Sequence, residues 1–175
     1  MQIAMAPDAR QAPEALEAVF REYAPLIYRT ARTITRSPED AEDIVQTIFL
    51  RLLRGEYTAN LQGNPRGYLH QAAVNLSLDV LRRRRRRTFI HDVDDLAAPE
   101  PAASTDRLEH QQLDAALAAL EPDAVHILTL RYVHGYTVTE IAGLLGASRG
   151  AIALRFFRVR RRLKKLLAVP RGEKP

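Results

Sequence analysis

The segment SRGAIALRFFRVRRRLKK, residues 148–165, places arginines among small and apolar side chains in a way that suits contact with duplex DNA. An arginine can donate two hydrogen bonds to one guanine in the major groove, and a small or apolar side chain can contact a thymine methyl group. Four apolar residues of this segment have the spacing i, i+4, i+7 and i+11, which places them on one side of a helix. This side is expected to face inward and consists of Ile152, Phe156, Val159 and Leu163. The outward side then presents candidate base contacts at Arg149, Ala151, Leu154, Arg155 and Arg158.

The residues before this segment predict how it is held. In TVTEIAGLLGAS, Thr137 and Glu140 form a capping box, a short helix follows over 138–145, and Gly146 ends it. Ser148 then caps the final helix. Two helices joined by a three-residue turn that contains glycine are typical of a helix-turn-helix, whose second helix enters the major groove. Two other interpretations stay open: a helical hairpin that binds no nucleic acid, and a basic face that is only solvated.

A second concentration of charge is LRRRRRR, residues 81–87, with six consecutive arginines. The preceding residues predict one amphipathic helix that is capped by Asn64, begins at Pro65 and ends in this run. Its buried side is expected to hold Leu69, Ala72, Ala73, Leu76 and Val80. Arginines complement the dipole at a helix C-terminus, but they repel one another when stacked, and a polyanion partner would relieve that repulsion.

The remaining apolar spacings also predict helices, and no segment alternates with the period of a strand. These helices are expected over about 14–36, 38–54, 106–120 and 122–134. Pro25 lies inside the first and should break or kink it near Tyr23. Ser37 caps the second, which has a polar and acidic side opposite its apolar side. The predicted fold class is all-α, with two small helical domains.

The net charge of +5 is unevenly distributed. Residues 1–87 carry a net +4, residues 88–126 a net −8 and residues 127–175 a net +9. Two separate basic regions indicate a polyanion bound at two places, which the acidic middle would repel. Residues 88–105, with two prolines, small residues and acids, are typical of a flexible linker. The predicted boundaries are an N-terminal tail over 1–13, domains over 14–87 and 106–168, the linker over 88–105, and a C-terminal tail over 169–175.

Several other kinds of site are not indicated. The chain has no cysteine, so it has no disulfide and no thiolate metal site. Paired acids, Asp94 and Asp95, lie in the linker, where a catalytic carboxylate would not be held in place. No glycine-rich phosphate loop, nucleophile elbow, secretory signal or apolar run of about 18 residues is present. The histidines form no ligand pattern and are interpreted as surface or ordinary helix residues: His70, His91, His110, His126 and His134.

Two blocks together resemble one family. The sequence SPEDAEDIVQTIFLRLLR, followed by NPRGYLHQAAVNLSLDVLRRRRRR, is similar to region 2 of a bacterial RNA polymerase sigma factor. The sequence LRYVHGYTVTEIAGLLGASRGAIALRFFRVRRRLKKLL resembles region 4. With these two regions and a short linker only, the chain is similar to the extracytoplasmic-function (ECF) group, and the resemblance covers roughly residues 14–168.

The resemblance implies a transcription initiation factor rather than an enzyme, without catalytic residue, metal, cofactor or small-molecule substrate. Its partners would be core RNA polymerase, through the β′ clamp helices and the β flap, and promoter DNA. It would be cytoplasmic, without direct membrane insertion. The resemblance also implies a further partner, an anti-sigma factor that would hold the two basic faces together. The acidic linker would lie in the RNA channel of the polymerase, with Asp92, Asp94 and Asp95 carrying its charge.

The resemblance also assigns residues to each surface. The polymerase-binding set is Asp40, Asp43, Gln46 and Phe49. The set for the −10 promoter element is Tyr57, Tyr68, Asn75, Asp79, Arg82, Arg83 and Arg84, with the loop over 55–64 capturing a base turned out of the melted strand. The set for the −35 element is Ser148, Arg149, Ala151, Leu154, Arg155 and Arg158, with phosphate contacts at Arg161, Arg162 and Lys164.

This chain departs from the common family pattern within region 4. Ala151, Ile152 and Ala153 stand where the family commonly shows Thr-Val-Lys, and Val159 stands within a common Arg-Ala-Arg. Val125 stands where an arginine is frequent. The departures leave the predicted fold unchanged, but the promoter sequence is not carried over from the family.

Two alternative functions remain at this stage. A helix-turn-helix regulator would bind duplex operator DNA without polymerase. A basic adaptor would bind RNA or a protein through its helices, although the chain is only 6% aromatic and RNA recognition commonly uses aromatic stacking.

Overall fold

The computed structural model describes residues 11–55, 63–94 and 105–168. Within these ranges the chain forms seven helices and no strand, which confirms the all-α prediction. The helices are α1 (Gln11–Thr35), α2 (Pro38–Leu53), α3 (Pro65–Asp94), α4 (Thr105–Ala118), α5 (Pro122–Tyr132), α6 (Val138–Leu144) and α7 (Arg149–Leu167).

Helices α1, α2 and α3 pack together as a first unit. Its apolar core comprises Tyr23, Leu26, Ile27, Ala31, Ala41, Ile44, Ile48, Phe49, Leu52, Leu69 and Ala73. The predicted cap of α2 is confirmed, because the Ser37 hydroxyl accepts a hydrogen bond from the Asp40 amide at 3.1 Å. Asn64 caps α3 in the same way, its Oδ1 accepting from the Gly67 amide at 2.9 Å.

Helix α1 continues through Pro25, so the expected break near Tyr23 is wrong. A proline inside a helix costs about 3 kcal/mol. Tyr23, Leu26 and Ile27 are all buried on the same side of α1. Burying each such side chain contributes about 1.5–3 kcal/mol, which together outweighs the cost of the proline.

Helix α3 extends to Asp94, seven residues beyond the end expected at Arg87. The residues from 88 to 94 contain neither proline nor glycine, and the first proline after the arginines is Pro99. Nothing in the local sequence therefore ends the helix at Arg87. The rest of the proposed linker, residues 95–104, lies outside the described residues.

Helices α4 to α7 form the second unit. The Thr137 hydroxyl accepts from the Glu140 amide while the Glu140 carboxylate accepts from the Thr137 amide, so the predicted capping box is present. The hydrogen bonds that the Thr137 amide and hydroxyl donate to the Glu140 carboxylate lower the pKa of Glu140. Gly146 ends the short helix with φ +59°, a conformation that favours glycine. Ser148 then caps α7 through the Ala151 amide at 3.1 Å, which completes the helix-turn-helix.

The two units pack directly against each other. A single apolar cluster joins Ile34, Val74, Leu78 and Leu81 of the first unit to the core of the second. In the second unit this cluster includes Leu120, Val125, Ile127, Leu130, Ile141, Ala142, Ile152, Phe156 and Val159. We call this packing of the two units the closed arrangement.

Candidate nucleic-acid and polymerase interfaces

The outward face of α7 carries every residue that the sequence assigns to the −35 element. Ile152, Phe156 and Val159 are buried and Leu163 is half-buried, as the spacing predicts. The opposite side is exposed at Ser148, Arg149, Ala151, Leu154, Arg155 and Arg158. The structure therefore brings these six residues together on one accessible, positively charged helix surface, and a major groove can admit such a helix.

Phe157 belongs to the same exposed surface, although the sequence analysis did not select it. Its ring is 64% exposed, and Leu154 one turn earlier is 47% exposed. An apolar side chain left in water on a basic helix is a candidate for contact with a thymine methyl group. The exposure of Phe157 could have been predicted from the sequence, because this residue does not share the inward spacing of Ile152, Phe156 and Val159.

The phosphate candidates at the end of α7 are also exposed: Arg161, Arg162 and Lys164. The Arg162 guanidinium donates to the Ala119 carbonyl at 3.1 Å, which holds this side chain against the end of α4. Arg160 donates to the Tyr132 hydroxyl at 2.7 Å. Positive charge therefore continues along α7 beyond the residues that face bases, where it can contact the DNA backbone.

In the closed arrangement, some of the −10 residues on α3 are exposed, whereas Arg82 contacts the second unit. Asn75, Asp79 and Arg83 are exposed. Arg82 is half-buried and donates to the carbonyls of Ala118 and Leu120, at 3.3 and 3.4 Å, at the end of α4. Its guanidinium also lies 3.8 Å from the Asp79 carboxylate. Part of the proposed −10 surface is thus occupied by the second unit.

Arg84 connects the −10 set with the polymerase-binding set. Its guanidinium donates to the Asp40 carboxylate of α2 and to the Thr35 carbonyl at 2.9 Å. The structure therefore brings together two residues that the sequence assigned to different partners. Because both side chains keep contact with solvent, the ion pair contributes little to stability.

The residues of α2 that the resemblance assigns to polymerase binding differ in their exposure. Asp43 and Gln46 are exposed, while Phe49 is buried and contacts the Phe20 ring edge-on at a centroid distance of 4.6 Å. Phe49 is therefore held in the core of the first unit. Leu50 and Leu53, one and two turns beyond Gln46, are 51% and 65% exposed. These two leucines form an exposed apolar surface next to the polar side chains of Asp43 and Gln46. A protein partner can bury such a surface.

Of the two aromatic candidates for base capture, Tyr68 lies among the residues that the structure describes. Tyr68 is half-buried against the core of the first unit. Tyr57 lies outside the described residues, as do most of the loop over 55–64 and the linker acid Asp95. Helix α3 includes Asp92 and Asp94 in its backbone.

Polar contacts near the N-terminus of α3 tie it to the helix-turn-helix. The Asn64 amide group donates to the Leu144 carbonyl at the end of α6, so one side chain serves both helix ends. The Arg66 guanidinium donates to the Tyr136 hydroxyl and lies 5.9 Å from the centre of that ring. Polar groups, as well as apolar packing, therefore join the two units.

Three histidines meet where the units pack, which corrects their interpretation as surface or ordinary residues. We call His70, His126 and His134 the histidine cluster. His70 and His126 are buried, and their rings stack at a centroid distance of 4.7 Å. His134 meets the His70 ring edge-on at 5.0 Å. No sequence pattern indicates this cluster, because His70 lies in α3 whereas His126 and His134 lie in and just after α5.

Within the described ranges, no group of three or more histidine and carboxylate side chains has an arrangement that could hold a metal ion. Over the same ranges, none of the helices has the length and apolar character needed to cross a membrane.

A helix-turn-helix joined to a second basic helical unit defines a two-module DNA-binding protein, and the comparisons place it in a family. Two family models match: Sigma-70 region 2 over residues 19–87, and Sigma-70, region 4, over residues 110–163. The RNA polymerase sigma factor CarQ of Myxococcus xanthus is 34% identical over 161 residues, which cover 89% of this chain and 91% of CarQ. The ECF RNA polymerase sigma factor SigM of Mycobacterium tuberculosis is 30% identical over 155 residues, covering 87% of this chain and 77% of SigM.

A longer relative is the ECF RNA polymerase sigma factor SigE of Mycolicibacterium smegmatis, 32% identical over 159 residues. This match covers 86% of the chain but only 60% of SigE. Among solved structures, the complex of the sigma factor RpoE with the anti-sigma factor NepR from Bartonella quintana matches with a TM-score of 0.49 and 23% identity. That match covers 93% of this chain and 100% of the solved chain.

The chain belongs to the RNA polymerase sigma factor family, in its ECF group. This confirms the resemblance found in the sequence. Sigma factors are non-enzymatic initiation factors, so the expectation that the chain is not an enzyme is confirmed by its family.

Proposed function

We propose that this protein binds core RNA polymerase and directs it to specific promoters. The −35 element is recognised in duplex form by the outward face of α7, and the −10 element is recognised and opened by α3 and the loop before it. The observation that carries this proposal is the exposed basic face of α7 on a capped helix-turn-helix, in a chain that also has a second arginine-rich helix. The exposed face of α7 can supply base contacts, and the arginine-rich helix α3 can bind phosphates.

The first unit is proposed to supply the contact with polymerase. Asp43 and Gln46 form an exposed polar stripe on α2, and Leu50 and Leu53 continue it with apolar surface. Asp40 reaches the polymerase only after its ion pair with Arg84 has been broken or rearranged. Phe49 acts through the core, where it fixes the position of α2 against α1.

On the −10 side, the exposed residues Asn75, Asp79 and Arg83 are proposed to contact DNA first. Arg82 and Arg84 can join them once their contacts with the second unit and with α2 are released. Tyr57 and Tyr68 remain the proposed stacking residues for a base turned out of the strand. The acidic linker remains proposed to follow the RNA channel of the polymerase.

We also propose an anti-sigma partner and a cytoplasmic location. The site of action of core polymerase is the cytoplasm, and the protein must reach it there. The closed arrangement buries part of α3 against the second unit. A partner that binds both units at once would stabilise that arrangement and keep the protein from promoters.

The test is a transcription assay with core polymerase, with and without this protein, on genomic DNA. The proposal predicts new start sites that share −10 and −35 elements and that disappear with the variant Arg155→Ala/Arg158→Ala. A matched control is Arg21→Ala/Arg32→Ala, which removes two exposed arginines from α1 and should keep the start sites. Specific binding of duplex operator DNA by the protein alone, without new start sites, would instead support the helix-turn-helix regulator.

A further inference from the structure

The histidine cluster lies on the contact between the two units. His70 comes from α3 of the first unit, His126 comes from α5 of the second, and His134 follows α5. His134 Nε2 also lies 2.8 Å from the Thr30 hydroxyl oxygen of α1. The closed arrangement therefore brings His70 of the first unit against His126 and His134 of the second, and His70 leaves them if the units move apart.

The hydrogen bonds determine where protons are held. The Thr30 hydroxyl donates to the Leu26 carbonyl at 2.8 Å, so its oxygen accepts from His134 Nε2–H. The Thr129 hydroxyl likewise donates to a backbone carbonyl of α5, 2.9 or 3.0 Å away, and can accept from His70 Nε2–H at 3.3 Å. Each of these two rings then has its one proton on Nε2, which leaves Nδ1 without a proton.

Further protons would be poorly accommodated in this contact. His70 Nδ1 and His126 Nε2 are buried without a hydrogen-bond partner. A proton added at His70 Nδ1 would place a charged, unpaired N–H in a site closed to solvent, which is costly. The stacked rings of His70 and His126 would also repel each other once both were charged.

The charged groups around the cluster do not remove this cost. Arg29 of α1 and Arg66 of α3 line the same cleft as His134, together with Glu22 and Tyr136. Asp123 of α5 acts on His126 and raises its pKa, but burial outweighs this effect. The two arginines further lower the pKa of His134, in addition to the larger effect of burial. Two arginines and two carboxylates therefore face the cluster, and burial is the larger cause of the cost of a further proton.

Burial is the main cause of low pKa values at all three positions. The pKa of His70 is lowered to about 2, with smaller contributions from His126 and His134. The pKa values of His126 and His134 are each lowered to about 4. A histidine in contact with water has a pKa of about 6.5, so each of the three binds protons more weakly in the closed arrangement than in an open one.

We propose that the histidine cluster makes the closed arrangement sensitive to protons, so that acidification separates the two units and uncovers the surface of α3 that packs on the second unit. The cluster favours closure fully above about pH 6.5, and this contribution falls as the pH drops from about 6.5 towards 4. Between pH 7.5 and 5.5, each histidine shifts the ratio of open to closed protein by about tenfold, and three independent histidines by up to about a thousandfold.

The consequence for transcription rests on the proposed function, because Val74, Leu78 and Leu81 bury the side of α3 next to the −10 residues. Opening would release Arg82 from the carbonyls of Ala118 and Leu120. The conformational change itself involves neither DNA nor polymerase. It can therefore be measured on the protein alone, and its failure would leave the result of the transcription assay unaffected.

Because the chain has no cysteine, two cysteines can be introduced and labelled without labelling any other residue. Ala18 of α1 and Thr139 of α6 are exposed and lie on different units. Spin labels on the full-length Ala18→Cys/Thr139→Cys protein report the distance between the units at pH 7.5 and 5.5, and circular dichroism reports helix content. We expect a short, narrow distance at pH 7.5 and a longer, broader one at pH 5.5, with helix content retained.

The variant His70→Gln/His126→Gln/His134→Gln should lose this response and show the same distance at both pH values. The control His110→Gln replaces an exposed histidine of α4 and should respond like the unaltered protein. If the triple variant has lost helix content, His134→Gln alone should reduce the shift in the open-to-closed ratio by about tenfold. The proposal is overturned by a distance that is equal at both pH values, by helix content that is lost together with the distance change, or by a variant that responds normally.

Discussion

Helices α7 and α3 both carry a dense set of arginines, but the structure presents them in opposite ways. On α7, all six residues assigned to the −35 element face solvent. On α3, Arg82 is bonded to the end of α4 and Arg84 to α1 and α2, next to an apolar surface covered by the second unit. The comparison shows that charge in a sequence predicts a DNA-binding helix without saying whether that helix is accessible.

The difference follows from how many sides of each helix are apolar. Helix α7 has one inward stripe, centred on Ile152 and Phe156, so its basic side is left outward. Helix α3 is buried on two sides, with Leu69 in the core of the first unit and Leu78 in the cluster shared by both units. A helix with two apolar sides presents only part of its surface to DNA until one of its neighbours moves, and on α3 that part includes Asn75, Asp79 and Arg83.

The largest difference in stability is expected between two variants, in which one leucine of α3 or one leucine of α7 is replaced by alanine. Leu78→Ala removes a fully buried side chain from the cluster shared by the units and should lower the free energy of unfolding by about 2–5 kcal/mol. Leu154→Ala, on the exposed face of α7, should change it by less than about 0.5 kcal/mol. Urea unfolding followed by circular dichroism measures both. Equal effects would mean that α3 is not packed as described.

The next prediction separates base contact from phosphate contact along α7. Arg155→Ala should weaken binding of the polymerase complex to its own promoter by about 1–3 kcal/mol and relax base preference in the −35 element. Arg161→Ala should weaken binding to all duplexes and lower the slope of log affinity against log salt by about 0.9. Titrations of labelled promoter variants at several salt concentrations distinguish the two. If Arg155→Ala weakened binding to all promoter variants equally, Arg155 would not be a base-contacting residue.

A smaller effect concerns the helix that supports α7. Thr137→Ala removes the side chain of the capping box and should destabilise the protein by about 1 kcal/mol. The control Thr139→Ala lies two residues further along, exposed inside α6, where it caps nothing. Thermal unfolding of the two variants makes the comparison. A loss at Thr139 as large as that at Thr137 would contradict the capping role.

The smallest effect tests the connection between α2 and α3. A double-mutant cycle with Asp40→Asn and Arg84→Gln should give a coupling energy of about 0.2–1 kcal/mol, because both side chains keep contact with solvent. Raising the salt concentration should reduce it further. A coupling above about 2 kcal/mol would indicate that this ion pair, and not apolar packing, holds α3 in place.

What the sequence predicted correctly depends mostly on neighbouring residues. Ser37, Thr137 and Ser148 are caps because the residues that they bond lie within three positions, and the outward face of α7 follows from spacing alone. Continuation of α1 through Pro25 depends on packing against α2 and α3, which local rules do not contain. The extension of α3 to Asp94 could have been predicted, since no helix-breaking residue follows Arg87 until Pro99.

The closed arrangement could not have been predicted from patterns in the sequence. His70 and His134 are 64 positions apart, and no pattern in the sequence pairs them. Their contact, like that of Asn64 with the Leu144 carbonyl, exists only because α3 packs against the second unit. The burial of Phe49 is likewise a tertiary feature, because its ring packs against Phe20 of another helix.

The measurement that tests the central claim most directly is a footprint of one promoter with the protein alone and with the protein plus core polymerase. Permanganate reactivity of thymines reports strand opening in the same samples. The account predicts that the two together protect both the −35 and −10 elements and open the strands near −10, while the protein alone discriminates poorly. Equally specific protection by the protein alone, with no opening when polymerase is added, would contradict it.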